Sequence, residues 1–137
     1  MTPQPPLDHI GIAVNSLDDA SAGFQLLGLR PEGADERVDA VQTLVRCFQV
    51  GDALIELVAP DGDASPLKAF LAERGPGLHH VALRVDDLEA ELERLCAAGA
   101  EILIEPFTGR IGSRVAFLAP DEGAGTIVEL VEHAAPH

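Results

Sequence analysis

Residues 7–28 read LDHIGIAVNSLDDASAGFQLLG, and residues 78–99 read LHHVALRVDDLEAELERLCAAG. Laid over one another they align without a gap, and the offset is constant: His9 meets His80, Leu17 meets Leu88 and Gly28 meets Gly99, each 71 residues on (80 − 9 = 71). Internal repetition of this kind fixes the architecture before any single residue does. Each copy opens on a short, β-branched, alternating run, "HIGIAV" or "HVALRV", the signature of a half-buried strand. Capping side chains follow, Asn15 and Ser16 in one copy and Asp86 and Asp87 in the other. Leu88, Leu92, Leu95 and Cys96 then recur at helical spacing, with Gly99, like Gly28, placed to stop the helix in a left-handed conformation.

Beyond each helix the pattern returns to strands. The first copy predicts them over 29–38, 42–50 (QTLVRCFQV) and 53–59 (ALIELVA), and the second over 101–107 (EILIEPF), 113–119 (SRVAFLA) and 125–131 (GTIVELV). Between the copies, SPLKAFLAERG (65–75) reads as a helix with Ser65 as cap, Pro66 at its first position and Gly75 as stop. The expected fold is therefore α+β, one domain over 1–137. It comprises a βαβββ module at 7–60, a linking helix within 61–77 and a second module at 78–132. Two such modules are expected to form one curved, roughly eight-stranded sheet around a cup.

The last strand of each copy carries an acid where the pattern wants an apolar residue, Glu56 in "LIELV" and Glu129 in "IVELV". A buried carboxylate is costly unless paired or coordinated. Two at nearly the repeat offset (129 − 56 = 73) call for a common cause. Alternation places His9 on one strand face with Gly11 and Ala13, and His80 with Ala82, so small neighbours leave room beside each imidazole. Two imidazoles and two carboxylates suit a divalent first-row metal with open positions, and His9, Glu56, His80 and Glu129 are the expected ligands. His79 matches Asp8 and reads as a turn or supporting residue.

The 137 residues carry 9 basic and 23 acidic side chains, a net charge of −14. Nucleic acid and anionic membranes demand a basic footprint, so neither is an expected partner. No apolar run reaches the roughly 18–20 residues that span a bilayer. The start, MTPQPPLDH, has no basic-then-apolar leader pattern, and a cytoplasmic setting is expected. Cys47 and Cys96 lie in no paired motif and read as small core residues.

The stretches LDHIGIAV, GDALIELVAP, SPLKAFLAERGPGLHHVALRVDDLEA, IGSRVAFLAP and GTIVELVEH together resemble the vicinal oxygen chelate (glyoxalase/bleomycin-resistance-like) superfamily and, within it, the methylmalonyl-CoA epimerases. SPLKAFL through GLHHVAL is the part most specific to the epimerases. The resemblance implies an isomerase that epimerises methylmalonyl-CoA at C2 through a metal-stabilised enolate. It implies a divalent ion, Co2+ favoured over Ni2+, Mn2+ or Zn2+, on the four residues above, and a homodimer. Glu129 is implied as one base. A separate third-strand glutamate of some epimerases falls on Val45, which leaves Glu56, a water or Glu36 for the second role. Arg110, Arg114 and Lys68 are the basic residues left to meet substrate carboxylate or coenzyme A phosphate. Ala119, Asp121 and Glu122 stand where similar epimerases carry positive charge. The same ligand set suits glyoxalase I (lactoylglutathione lyase). A dioxygenase, with one carboxylate ligand, and a non-catalytic small-molecule-binding member fit it less well.

Overall fold

The computed structural model describes residues 4–120 and 124–134. Among them run eight strands and three α-helices. In chain order these are β1 (Leu7–Ala13), α1 (Leu17–Leu26), β2 (Glu36–Val38), β3 (Thr43–Val50), β4 (Ala53–Pro60), α2 (Leu67–Arg74), β5 (Gly77–Arg84), α3 (Leu88–Ala97), β6 (Ile102–Thr108), β7 (Arg114–Leu118) and β8 (Ile127–Glu132). The order is βαβββ, a helix, then βαβββ again, an α+β fold. No helix among the described residues is long and apolar enough to cross a membrane.

The chain packs as two compact units, residues 9–79, and residues from His80 onward together with the segment through Asp8. In the first, the strand order is β2-β3-β4-β1. β1 runs parallel to β4, and the other neighbours are antiparallel. One face of this sheet meets α1: Phe48 and Leu57, both fully buried, pack with Val14, Leu17 and Ala59, and Phe24 of the helix stacks on Phe48 at 5.5 Å. The second unit repeats the plan as β5-β8-β7-β6, with β5 parallel to β8. Leu88 and Leu92 of α3 there pack on Ala116, Leu118 and Leu130.

The helix ends follow the sequence signals. Ser16 and Asp87 supply the N-caps, accepting from the backbone N–H groups of Asp19 (3.3 Å) and Ala90 (3.1 Å). Gly28 and Gly99 take φ of 94° and 102°, which a side chain would oppose, and so end α1 and α3 at matching places. Ser65 Oγ accepts from Leu67 N at 3.3 Å, and Pro66 precedes the first residue of α2 in helical geometry.

Two expectations change, and β6 is irregular. The strand expected over 29–38 shrinks to Glu36–Val38, with one isolated bridge from Pro31 to Phe48. Pro31 has no N–H for a ladder, and Gly33 turns the chain with φ 73°. β6 pairs with register shifts on either side of Ile104, and Pro106 lies in the second of them. Cys96 is exposed, because α3 turns Leu88 and Leu92 inward and carries residue 96 to the rim of its buried stripe; only Cys47 is buried. Asp121, Glu122 and His137 lie outside the described residues.

The loop before β2 is pinned by charge. Arg46 Nε and Nη2 each donate to Asp35, both at 2.8 Å, and Arg46 Nη2 also reaches Asp18 at 2.9 Å. The Arg46 hydrogen bonds hold the Asp35 carboxyl below its ordinary value. A depressed carboxyl contributes stability that is complete above the unfolded value of about 3.9 and is lost as pH falls through the lower folded one. Asp35→Asn is therefore expected to flatten the acid limb of the stability curve below about pH 4, read by urea unfolding at each pH. Phe48→Ala is expected to cost about 3–5 kcal/mol in the same assay, whereas Leu26→Ala, on a side chain 87% exposed, shifts it by less than about 0.5 kcal/mol.

Candidate functional site

Each unit carries a histidine and a glutamate on neighbouring parallel strands. In the first, register sets His9 against Leu54 and Gly11 against Glu56, so the imidazole and the carboxylate stand one step apart on the same sheet face. His9 Nδ1 lies 3.3 Å from Glu56 Oε2. In the second, His80 is set against Ile127 and Ala82 against Glu129, and His80 Nε2 lies 3.0 Å from Glu129 Oε1. All four side chains are buried, with residue exposures of 3% for both histidines and 6% for both glutamates. The small partners Gly11 and Ala82 occupy the positions directly beside the two carboxylates. The repeat visible in the sequence is thus a repeat of chemistry as well as of backbone.

The spacing of each pair fits a shared ion. Two donor atoms about 2.1 Å from one cation lie about 3.0 Å apart at a right angle and about 3.4 Å apart at a tetrahedral angle. The observed 3.0 and 3.3 Å fall at those values. The donor types, nitrogen and carboxylate oxygen, are those of divalent first-row metals.

Around these matched pairs the two units differ. In the second, Phe117 sits directly opposite Glu129 and meets His80 edge-on at 5.3 Å, with Phe107 stacked behind it at 6.0 Å. Buried Ser113 and Val115 continue the same face along β7. In the first unit, buried Cys47 occupies the place opposite Glu56, and Val45 follows it along β3. The aromatic wall went unread in the sequence; the signal was the alternation Ser113, Val115, Phe117 in SRVAFLA, which shares its face with the glutamate of the next strand.

The basic residues divide. Arg114 Nε and Nη2 donate to Glu89 of α3 at 3.0 and 2.8 Å, on the helix side of its sheet and away from the face that bears Glu129. Lys68 is exposed and bonded to Asp63 at 2.7 Å. Arg110 is partly buried in a tight loop, where Gly109 N donates to Ser113 O at 2.9 Å and Ser113 N to Arg110 O at 3.1 Å. A Cβ on Gly109 would come within 3.1 Å of Ser113 Oγ, so the loop tolerates no larger residue without shifting. His79 turns its ring edge to Phe70 of α2 at 4.8 Å, a packing role. His133 bonds to buried Asp8.

Comparison with known proteins agrees with this architecture. Residues 8–117 match the sequence profile of the Glyoxalase/Bleomycin resistance protein/Dioxygenase superfamily. The chain is 38% identical over 128 residues to the uncharacterised protein YqjC of Bacillus subtilis (92% of this chain, 91% of that one). It is 36% identical over 129 residues to the ethylmalonyl-CoA/methylmalonyl-CoA epimerase of Cereibacter sphaeroides (90% and 95%). Among solved structures, a variant of Streptomyces coelicolor methylmalonyl-CoA epimerase in complex with 2-nitronate-propionyl-CoA superposes with a TM-score of 0.89 at 28% identity, covering 97% of each chain.

Breaking a buried His–Glu pair by removing one partner costs about 3–5 kcal/mol. In metal-free protein His80→Ala is therefore expected to lower unfolding stability by that order. Adding Glu129→Leu to it should recover most of the loss, as read by urea denaturation.

Proposed function

The chain belongs to the Glyoxalase/Bleomycin resistance protein/Dioxygenase superfamily, and we propose that it is an isomerase that epimerises methylmalonyl-CoA at C2. The observation that carries this reading is the pair of buried His–Glu couples, one in each module, in a chain whose relatives include epimerases of this substrate. On this reading the two sheets continue into one cup within a single domain, and His9, Glu56, His80 and Glu129 share a divalent ion. Co2+ is the favoured ion, and Ni2+, Mn2+ and Zn2+ suit the same donors. When bound, the ion supplies positive charge against the oxygens on which negative charge develops as the C2 proton leaves.

The rest falls to the chain. Glu129, beside the face of Phe117 and Phe107, takes the C2 proton. The two rings exclude water from its side of the substrate, which strengthens every charge interaction there. Gly11 and Ala82 leave space next to the carboxylates for the branched acyl group. Arg110, in its constrained loop, is the basic residue we assign to the substrate's anionic groups; Arg114 and Lys68 are engaged by Glu89 and Asp63, and Arg114 lies on the other side of its sheet. Glu56, expected as a second proton carrier, is held to His9 and serves first as a ligand. A homodimer and a cytoplasmic setting belong to the same reading.

Proton NMR in D2O on a single epimer of methylmalonyl-CoA tests it, using metal-stripped protein, added Co2+, and Glu129→Ala as control. The expected result is rapid, metal-dependent loss of the C2 proton with appearance of the other epimer, slowed at least about 100-fold in Glu129→Ala. Metal binding without exchange overturns the reading. The hemithioacetal of glutathione and methylglyoxal, which suits a ligand set with a glutamate in each half, then becomes the substrate to try.

A further inference from the structure

Inverting C2 requires a proton to leave one face of the substrate and another to arrive on the opposite face, so two proton-carrying groups are needed. On the epimerase reading Glu129 moves to take the proton. We assign Glu56, whose strand neighbours Cys47 and Val45 are less bulky than the phenylalanines beside Glu129, to the ion throughout. The second carrier then comes from outside the ligand set. Resting on the epimerase reading above, we infer that this carrier is Glu36.

Register places it. Glu36 of β2 stands directly opposite Val45 of β3, and Cys47, two residues along β3, stands directly opposite Glu56 of β4. Opposed residues of antiparallel strands share a face, and so do residues two apart on one strand. Glu36 therefore projects from the same sheet face as Glu56. Across β2, β3 and β4 these two are the only carboxylates on that face, whose other members include Val38, Thr43, Val45 and Cys47. Val45 is buried and carries no proton to give. A glutamate opposite it starts about 5 Å away across the strand pair and has the length to reach over its methyl groups.

The residues on either side of Glu36 fix its direction. Asp35 is held by two parallel bonds from Arg46, both at 2.8 Å. Arg37 Nε donates to Asp61 Oδ2 at 2.8 Å and Arg37 Nη2 to the Asp61 carbonyl at 3.1 Å. Because neighbours along a strand point to opposite sides, anchoring Arg37 away from the face commits Glu36 toward it. A three-residue edge strand has little ladder of its own, and these charge-assisted bonds supply the precision. Arg37 and Arg46 are positioning residues in this scheme, and Glu36 touches the substrate.

The protons balance. The Glu129 carboxylate accepts the C2 proton as the C–H bonding pair moves into the thioester carbonyl, giving the enolate. The neutral Glu36 carboxylic acid then gives its proton to the other face of C2 as that pair returns to carbon. Turnover in the other direction exchanges the roles, and both groups reset by exchange with solvent.

The test follows each epimer separately by proton NMR in D2O, with Co2+-loaded wild type, Glu36→Gln and Glu36→Asp, and with Co2+ absorption spectra to confirm loading. Glu36→Gln is expected to lose 10²–10⁴-fold in epimerisation while one epimer still exchanges its C2 proton with retention and the other does not. Glu36→Asp should keep part of the inversion, and the Co2+ spectrum should match wild type in both variants. Inversion by Glu36→Gln within about threefold of wild type overturns the assignment and leaves the epimerase reading standing. Loss of exchange from both epimers, or an altered Co2+ spectrum, also overturns it, because Glu36 would then be binding substrate or metal. A wild-type chain that exchanges neither epimer overturns the epimerase reading and this assignment with it.

Discussion

A carboxylate in the middle of a buried strand is the constraint to which the other choices answer. Glu56 and Glu129 each interrupt a run of apolar residues, and each is tolerated because an imidazole from the neighbouring parallel strand stands within 3.3 Å. That pairing dictates small residues at Gly11 and Ala82, since bulk there would close the space the two groups share. It also dictates that β1 lie beside β4 and β5 beside β8, strands that are not consecutive in the chain, with α1 and α3 covering the far faces of their sheets. Hydrophobic burial makes the modules stable. The charged pairs decide which strands must meet.

Duplication gives two similar half-sites, and the differences between them carry direction. One module sets phenylalanines around its glutamate, and the other sets a thiol, a valine and, one strand further, a second carboxylate. The two modules thus present unlike surroundings to matched His–Glu pairs. The His–Glu pairs stay alike in both modules. The side chains around them do not.

Much of this was legible in the residues. The fixed offset from His9 to His80 and the capping and stop signals at Ser16, Asp87, Gly28 and Gly99 gave the modules nearly to the residue, since local conformation sets them. The strand expected over 29–38 was overextended because alternation was read across Pro31 and Gly33, where the backbone cannot hold a ladder. In sequence Arg114 reads as a basic residue for a substrate anion; its partner, Glu89, comes from 25 residues away on a helix. Cys96 satisfied helical spacing but lies at the rim of the stripe. Placing Glu36 on the Glu56 face depended on two successive strand registers, and a single sequence fixes neither.

The segment ending at Asp8 packs with the unit that begins at His80. Arg84 N donates to the Pro6 carbonyl, and Asp8 bonds to His133, 125 residues later. The contacts of this segment therefore close over long stretches of chain rather than locally. Closing so long a stretch of chain costs loop entropy, which places these contacts among the slower ones to form.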